Sequence, residues 1–492
     1  MGRPIELQSN WSRGMKQDFP RVTMPAASSW NMVDLIPDLG APLRKRGGWA
    51  YASPNIAASA VTGATYIKAV AYVPFAAAAK LCCITDNNFL VTVASTASAT
   101  NVGAVFDTVQ NPVLHDNLLI IPAADGTTKP KYYDGTTLGN LGGTPPAGKY
   151  AVVYNDRTVL GASSAEPQRA YFSLAANPAG TWDTTNSWVD FGQPITGFAS
   201  LGGALLVFQQ TQTSRIRGNT PPPGGDFIRD DPIFNVGCTD ARSIATYGPY
   251  AVFANPLGVY RTNATSFPEE LTKLSGLSLY WQDLMASYSS SWTIAGHIYK
   301  NYYFVSVMDG STFKDAFAFD LSPGKYVAYR LSNLKSLCFD NAVTIGEELY
   351  FGLRSAAYLG KASTMFAPSQ TVKNDGDGTA VTCTWETPMY GGSAFTKTWR
   401  SVYLTYDMRD EATDNPSLQV SYIKNPEDSY TAVSAANNGI VYETSNVVRG
   451  KVNIKVPSDI IALKVVQSNA SANTRFYGVE ADVHVREGSR IV

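Results

Sequence analysis

Apolar positions along this chain fall into short runs of β-branched and aromatic residues, each cut by Gly, Pro, Asn or Asp. One pattern recurs: an apolar strand, a polar turn, then a second strand ending in a small or charged residue. It begins at Asn87 ("NNFLVTVAS"), Asn117 ("NLLIIPAADG"), Tyr150 ("YAVVYNDRTVLGAS") and Gly203 ("GALLVFQQTQTSRIRG"). It returns at Tyr250 ("YAVFANPLGVYRTN"), Asn301 ("NYYFVSVMDGSTF") and Glu347 ("EELYFGLRSAAYLG"). Successive starts lie about 43 residues apart, the period of a four-stranded propeller blade. Each hairpin has an apolar face it cannot bury alone, and radial stacking of blades buries it. About 300 residues of hairpins is too long for one sandwich. The spacing predicts one amphipathic helix, "SLYWQDLMASY" (278–288).

The pattern changes at the Gly/Asp-rich "SQTVKNDGDGTAVT" (369–382). Beyond it the strands are longer and alternate cleanly. In "RSVYLTYDM", Val402, Leu404, Tyr406 and Met408 share one face, as a half-solvated antiparallel sheet requires. The expected fold is all-β: an extended N-terminal arm (1–60), a six- or seven-bladed propeller (61–368), a linker (369–378) and a C-terminal β-sandwich (379–492). The arm, with Trp11, Trp30 and Trp49, is expected to close onto the propeller or onto a partner.

Charge narrows the function classes. Lys+Arg 39 against Asp+Glu 40 leaves a net charge of -1, so no overall field attracts polyanions. The five cysteines, Cys82, Cys83, Cys238, Cys338 and Cys383, are scattered without a C-x-x-C pair, which favours reduced core thiols. The N-terminus has no apolar signal region, and the apolar stretch at 69–79 is too short to span a bilayer. Synthesis in a cytoplasm is the expectation.

Candidate chemistry is sparse. His115, His297 and His484 lie in or beside strands, with no second histidine at ligand spacing. "NDGDG" (374–378) lacks the distal glutamate of a calcium loop. The adjacent acids Asp230–Asp231, Glu269–Glu270 and Glu347–Glu348 point to opposite sides if they lie on a strand. "SLAANPAGTW" (173–182) invites comparison with the S-x-D-x-G-x-T-W box of glycan-cleaving propellers. Aligned on Thr181 and Trp182, it has Ala175, Asn177 and Ala179 where Ser, Asp and Gly belong. No catalytic residue, metal site or cofactor is expected. "PPPGGD" (Pro221, Pro222, Pro223 to Asp226) reads as a protruding loop open to a partner. The basic cluster "LRKRGGW" (43–49) reads as the hinge between arm and propeller, with Trp49 as an apolar plug. Arg44, Lys45 and Arg46 are then expected to pair with acids of an adjacent subunit.

The order of these features resembles bacteriophage tail proteins of the nozzle or tail-stabilisation type. It runs from "GAPLRKRGGW" before the first blade, through "YYDG" (132–135) and the "NP..W", "PITG" and "IRG" landmarks of 170–218, to "TKTWRSVYLTYD" opening the C-terminal domain. The resemblance implies a non-enzymatic virion protein of the tail, made in the host bacterial cytoplasm. It implies assembly as a ring, commonly a hexamer, contacting portal-side adaptor proteins and tail fibres or tail-tip proteins, with double-stranded DNA passing through unbound. Near-neutral charge suits a conduit, since each neutralised phosphate would retard passage. The alternative is a tail-tip propeller that binds a receptor or glycan, or acts on the glycan as a depolymerase, with Trp182 and Trp188 stacking on sugars.

Overall fold

The computed structural model describes residues 4–485 except 26, 38–42, 76–77, 311, 332–336, 355, 363–374, 376–379, 393–396, 408–417, 435–437, 440–446 and 469–473. Seven blades are present among them, at 67–104, 113–140, 150–190, 195–234, 245–270, 292–330 and 337–361. Each of the seven recurring hairpins falls in one blade. The second strands are apolar on both faces because each blade is sandwiched between two others. In Ala204–Gln209, Leu205 and Val207 pack toward the third blade, whereas Ala204, Leu206 and Phe208 pack toward the fifth. In Leu118–Ile121, Leu119 and Ile121 face the first blade and Ile120 the third. Further clusters join blades five to six, six to seven and seven to one, so the ring is closed.

The arm supplies five strands: β1 (Ile5–Gln8), β2 (Asn31–Val33), β3 (Leu35–Pro37), β4 (Leu43–Lys45) and β5 (Ala50–Tyr51). β5 is the fourth strand of the seventh blade, pairing Tyr51 with Gly360 and Ala50 with Lys361. The ring is therefore shut by joining the two ends of the propeller segment.

The other arm strands belong to the C-terminal sandwich. β1 and β4 both pair with Arg475–Val485. β2 runs parallel to Ala328–Arg330 of the sixth blade and antiparallel to Cys383–Glu386 of the sandwich, so blade and sandwich share one sheet of ten strands. A boundary at residue 60 thus separates strands that fold together; the arm is a structural part of both domains. The six expected C-terminal strands form at Cys383–Glu386, Lys397–Asp407, Leu418–Ile423, Val448–Pro457, Ile460–Gln467 and Arg475–Val485. Val402, Leu404 and Tyr406 face the core, while Met408 and most of the linker lie outside the described residues. One continuous core links the fifth and sixth blades, the arm and both sandwich sheets; Trp385 sits between Trp11 (5.4 Å) and Phe476 (6.0 Å). The helix forms at Ser278–Met285, preceded by a shorter one at Leu271–Ser275.

Candidate functional site

The basic cluster is buried within the chain, which corrects its expected role as a subunit contact. Arg44 and Lys45 lie in β4, between β3 and the C-terminal strand Arg475–Val485. Arg46 has 0% side-chain exposure and holds Asp34 at 2.6 Å and Asp375 at 3.0 Å. Its second contact to Asp375 measures 3.1 Å, and it also donates to the Gly47 carbonyl at 2.9 Å. Burial alone would lower the guanidinium pKa; the two carboxylates outweigh it and hold the group well above its ordinary value. Asp375 comes from "NDGDG", so a segment read as a linker turn supplies half of this clamp. Trp49 is also internal, edge-on to Phe351 at 5.7 Å and to Tyr51 at 5.3 Å. None of these four side chains is presented to a neighbouring molecule.

Loop 218–227 joins the third and fourth strands of the fourth blade. The Asp226 carboxylate accepts from the backbone N–H of Asn219 (2.8 Å) and Thr220 (2.6 Å) and from the Thr220 hydroxyl (2.7 Å). These bonds, led by the Thr220 hydroxyl, pull its pKa down to about 2. Tyr154 anchors the loop by donating to the Gly218 carbonyl at 2.9 Å. Pro221, Pro222 and Pro223 then wall a groove of ≈ 390 Å³ against Leu174, Thr181 and Asp183 of the third blade.

Of the two tryptophans of the sugar-stacking alternative, Trp182 lies inside the fold and Trp188 is part-exposed beneath an arginine. Trp182 is buried between the second and third blades and donates to the Pro178 carbonyl at 3.0 Å. Its ring therefore cannot meet a glycan. Trp188 has Arg169 over its face at 3.8 Å, and that guanidinium is fixed by two bonds to Asp190.

Gln110 and Asn111, which the sequence pattern did not single out, lie on the inner side of the ring just before the second blade. Asn111 accepts from the Val70 N–H at 3.1 Å and donates to the Ala342 carbonyl at 3.4 Å, tying the first blade to the seventh. Gln110 exchanges two bonds with the Ala151 backbone of the third blade. Beside them lies an axial cavity of ≈ 390 Å³, bordered by Arg242 and His297. Burial pushes the His297 pKa down to about 4, and its Nε2 lies 3.0 Å from the Thr344 hydroxyl. The only signal was a polar pair before Pro112, which looks like any loop.

Cys82, Cys83, Cys238 and Cys383 are buried free thiols. Among the described residues, no group of three His, Cys, Asp or Glu is placed to hold a metal, and no helix is long and apolar enough to cross a membrane.

Fold and site define a closed seven-bladed β-propeller laced by its N-terminal strands to a β-sandwich. No family model matches the chain, and no curated protein matches it. Among solved structures it is similar to PorZ, an essential bacterial surface component of the type-IX secretion system of Porphyromonas gingivalis (13% identity, 71% of this chain, 44% of that one, TM-score 0.39). It is also similar to BamB from Moraxella catarrhalis (10% identity, 73% of this chain, 100% of that one, TM-score 0.35). A third is the exo-β-1,3-galactanase of Phanerochaete chrysosporium (10% identity, 74% of this chain, 100% of that one, TM-score 0.25). The propeller assignment rests on the seven sheets themselves and not on these likenesses.

Proposed function

We propose that this chain is a non-enzymatic structural protein of a bacteriophage tail, of the nozzle or hub type, whose copies form a ring around the DNA conduit. The observation that carries the reading is the lacing of the arm. One 60-residue segment contributes strands to the seventh blade, to the sixth-blade sheet and to both sandwich sheets. That construction ties the two domains into one body and suits a part that transmits force. The order of sequence landmarks supports the same reading. Gln110 and Asn111 border the axial cavity of the propeller, and the conduit of this reading would run between copies. The glycan alternative loses support, because Trp182 is inside the core.

Mass photometry and negative-stain imaging of the purified chain, with antibody labelling of phage particles, test the proposal. Rings of copies and label on the tail are expected; a chain that stays monomeric and labels only fibre tips overturns it.

A further inference from the structure

The arm and the sixth blade form a groove that is bordered by four cations and, among the described residues, by no acid. Its volume of ≈ 410 Å³ falls within the roughly 300–1,000 Å³ of small-ligand sites. Arg13 and Lys16 come from the arm, Lys273 from the Leu271–Ser275 helix and Lys325 from the 321–327 turn. Four cations together stand out in a chain of net charge -1. Among the described residues, Arg13, Lys16 and Lys273 form no ion pair, and Lys325 reaches Asp320 only at 4.0 Å. Asp18 offsets part of the charge while capping the Ser278–Met285 helix, where it accepts from the N–H groups of Ser278 (2.9 Å) and Leu279 (2.8 Å). Partial burial lowers the pKa of Lys16; Asp18 opposes that shift and the like charge of Arg13 adds to it. An anionic ligand would relieve this repulsion.

Backbone bonds fix the walls of the groove. The Gly276 carbonyl accepts from the N–H groups of Gln17 (2.8 Å) and Asp18 (3.0 Å), and Met15 donates to the Ala328 carbonyl at 3.3 Å. Gly276, at φ +74°, ends the Leu271–Ser275 helix, and the Lys16 Nζ donates to the Leu274 carbonyl at 3.2 Å. A Cβ at Gly276 would lie 2.7 Å from the Lys16 Cδ and 3.6 Å from the Phe19 Cε2, so the lysine stem and the ring both pack over the helix end. Phe19 stays 41% exposed there and Leu274 40%. An exposed aromatic ring therefore stands beside positioned cations.

We propose that this groove binds a nucleotide unit, with phosphates on Arg13, Lys16, Lys273 and Lys325 and the base against Phe19. The site does not depend on the ring reading, because one copy carries all of it. A basic groove with an aromatic platform is the arrangement that holds unpaired nucleotides. Other anions use only part of it. Inorganic phosphate leaves Phe19 and Leu274 uncovered, and a peptide rich in Asp and Glu brings charge without a flat face for the ring. Duplex DNA keeps its bases stacked inside and offers only its backbone. A nucleotide unit brings charge and an aromatic face together, whether in a free nucleoside triphosphate or in a single strand. The excess charge is confined to one groove, so a near-neutral chain can carry it without attracting duplex over its whole surface.

The experiment uses the full chain in three forms: wild type, K273Q/K325Q, and F19L, which keeps an apolar side chain and removes the aromatic face. Circular dichroism melts confirm that each folds. Fluorescence anisotropy follows a short labelled oligothymidylate, with thymidine triphosphate, inorganic triphosphate, polyaspartate and the matching duplex as competitors. The oligothymidylate should bind the wild type, and more weakly as salt rises. K273Q/K325Q should bind about tenfold more weakly or worse, with a salt slope smaller by about 1.4, about 0.7 for each lost phosphate contact. F19L should weaken oligothymidylate and thymidine triphosphate by about fivefold and leave inorganic triphosphate unchanged. Tighter binding of the oligothymidylate than of thymidine triphosphate assigns the site to a single strand; the reverse assigns it to the free nucleotide. Inorganic triphosphate, polyaspartate or duplex competing as well as thymidine triphosphate, with F19L without effect, overturns the nucleotide site. Absence of binding by both thymidine probes at low salt overturns it too. Neither result bears on the ring reading, and nucleotide binding by a chain that stays monomeric leaves this inference standing while that reading fails.

Discussion

At the scale of the residue, the most consequential side chain is Arg46. An isolated buried guanidinium would be strongly disfavoured, and two carboxylates compensate it, Asp34 from the same arm and Asp375 from far along the chain. Removing one of them leaves the charge underpaired. Asp34→Ala is expected to lower unfolding free energy by about 3–5 kcal/mol, read as a drop in urea midpoint. Asp375→Asn should cost less, because the amide still accepts one of the two bonds. His297 gives a pH test. Its folded pKa lies near 4 against an ordinary 6.5, so below 6.5 the unfolded chain binds a proton that the folded chain refuses. Its contribution is whole above pH 6.5 and drains away as pH falls toward 4. His297→Gln should flatten the wild-type loss between those values by about 1 kcal/mol, since the ring also borders the axial cavity, measured by thermal melts across the range.

At the scale of the element, closure of the ring depends on two residues of β5 and the tryptophan before them. Trp49 fills the seventh blade against Phe351, and Gly360 leaves room for it: a Cβ there would come within 2.3 Å of Phe351 and 3.1 Å of Trp49. Trp49→Ala should cost about 3–5 kcal/mol through the cavity it leaves. It should also open the seventh blade locally, seen as faster hydrogen exchange in Glu348–Leu353 than in the fourth blade. The hairpins themselves were legible in the sequence, since strand, turn and strand are neighbours in the chain. That β5 completes the seventh blade was not, because its partner Leu359–Lys361 lies some 300 residues away and two residues carry no periodicity.

At the scale of the whole molecule, one hydrophobic core runs from the fifth and sixth blades through the arm into the sandwich. The propeller is therefore not an independent unit. A fragment of residues 61–368 lacks both β5 and β2, exposing the Trp49 pocket and the edge of the sixth blade. It should aggregate or elute as a mixture in size-exclusion chromatography, where the full chain gives a defined species. The full chain should unfold without a separate transition for the sandwich in calorimetry.

The sequence by itself determined the all-β class, the seven hairpins, the six sandwich strands and the helix at Ser278–Met285. Each depends on periodicity or turn chemistry within a few dozen residues, and such patterns survive in one dimension. Only the tertiary structure decided the blade count, the ring-closing role of β5, the burial of Arg44, Lys45 and Arg46, and the amide bonds by which Gln110 and Asn111 tie neighbouring blades together. A cation in the chain looks the same whether it faces solvent or two carboxylates. What distinguishes these cases is the company supplied by segments hundreds of residues away, and burial is a property of that company and not of the residue.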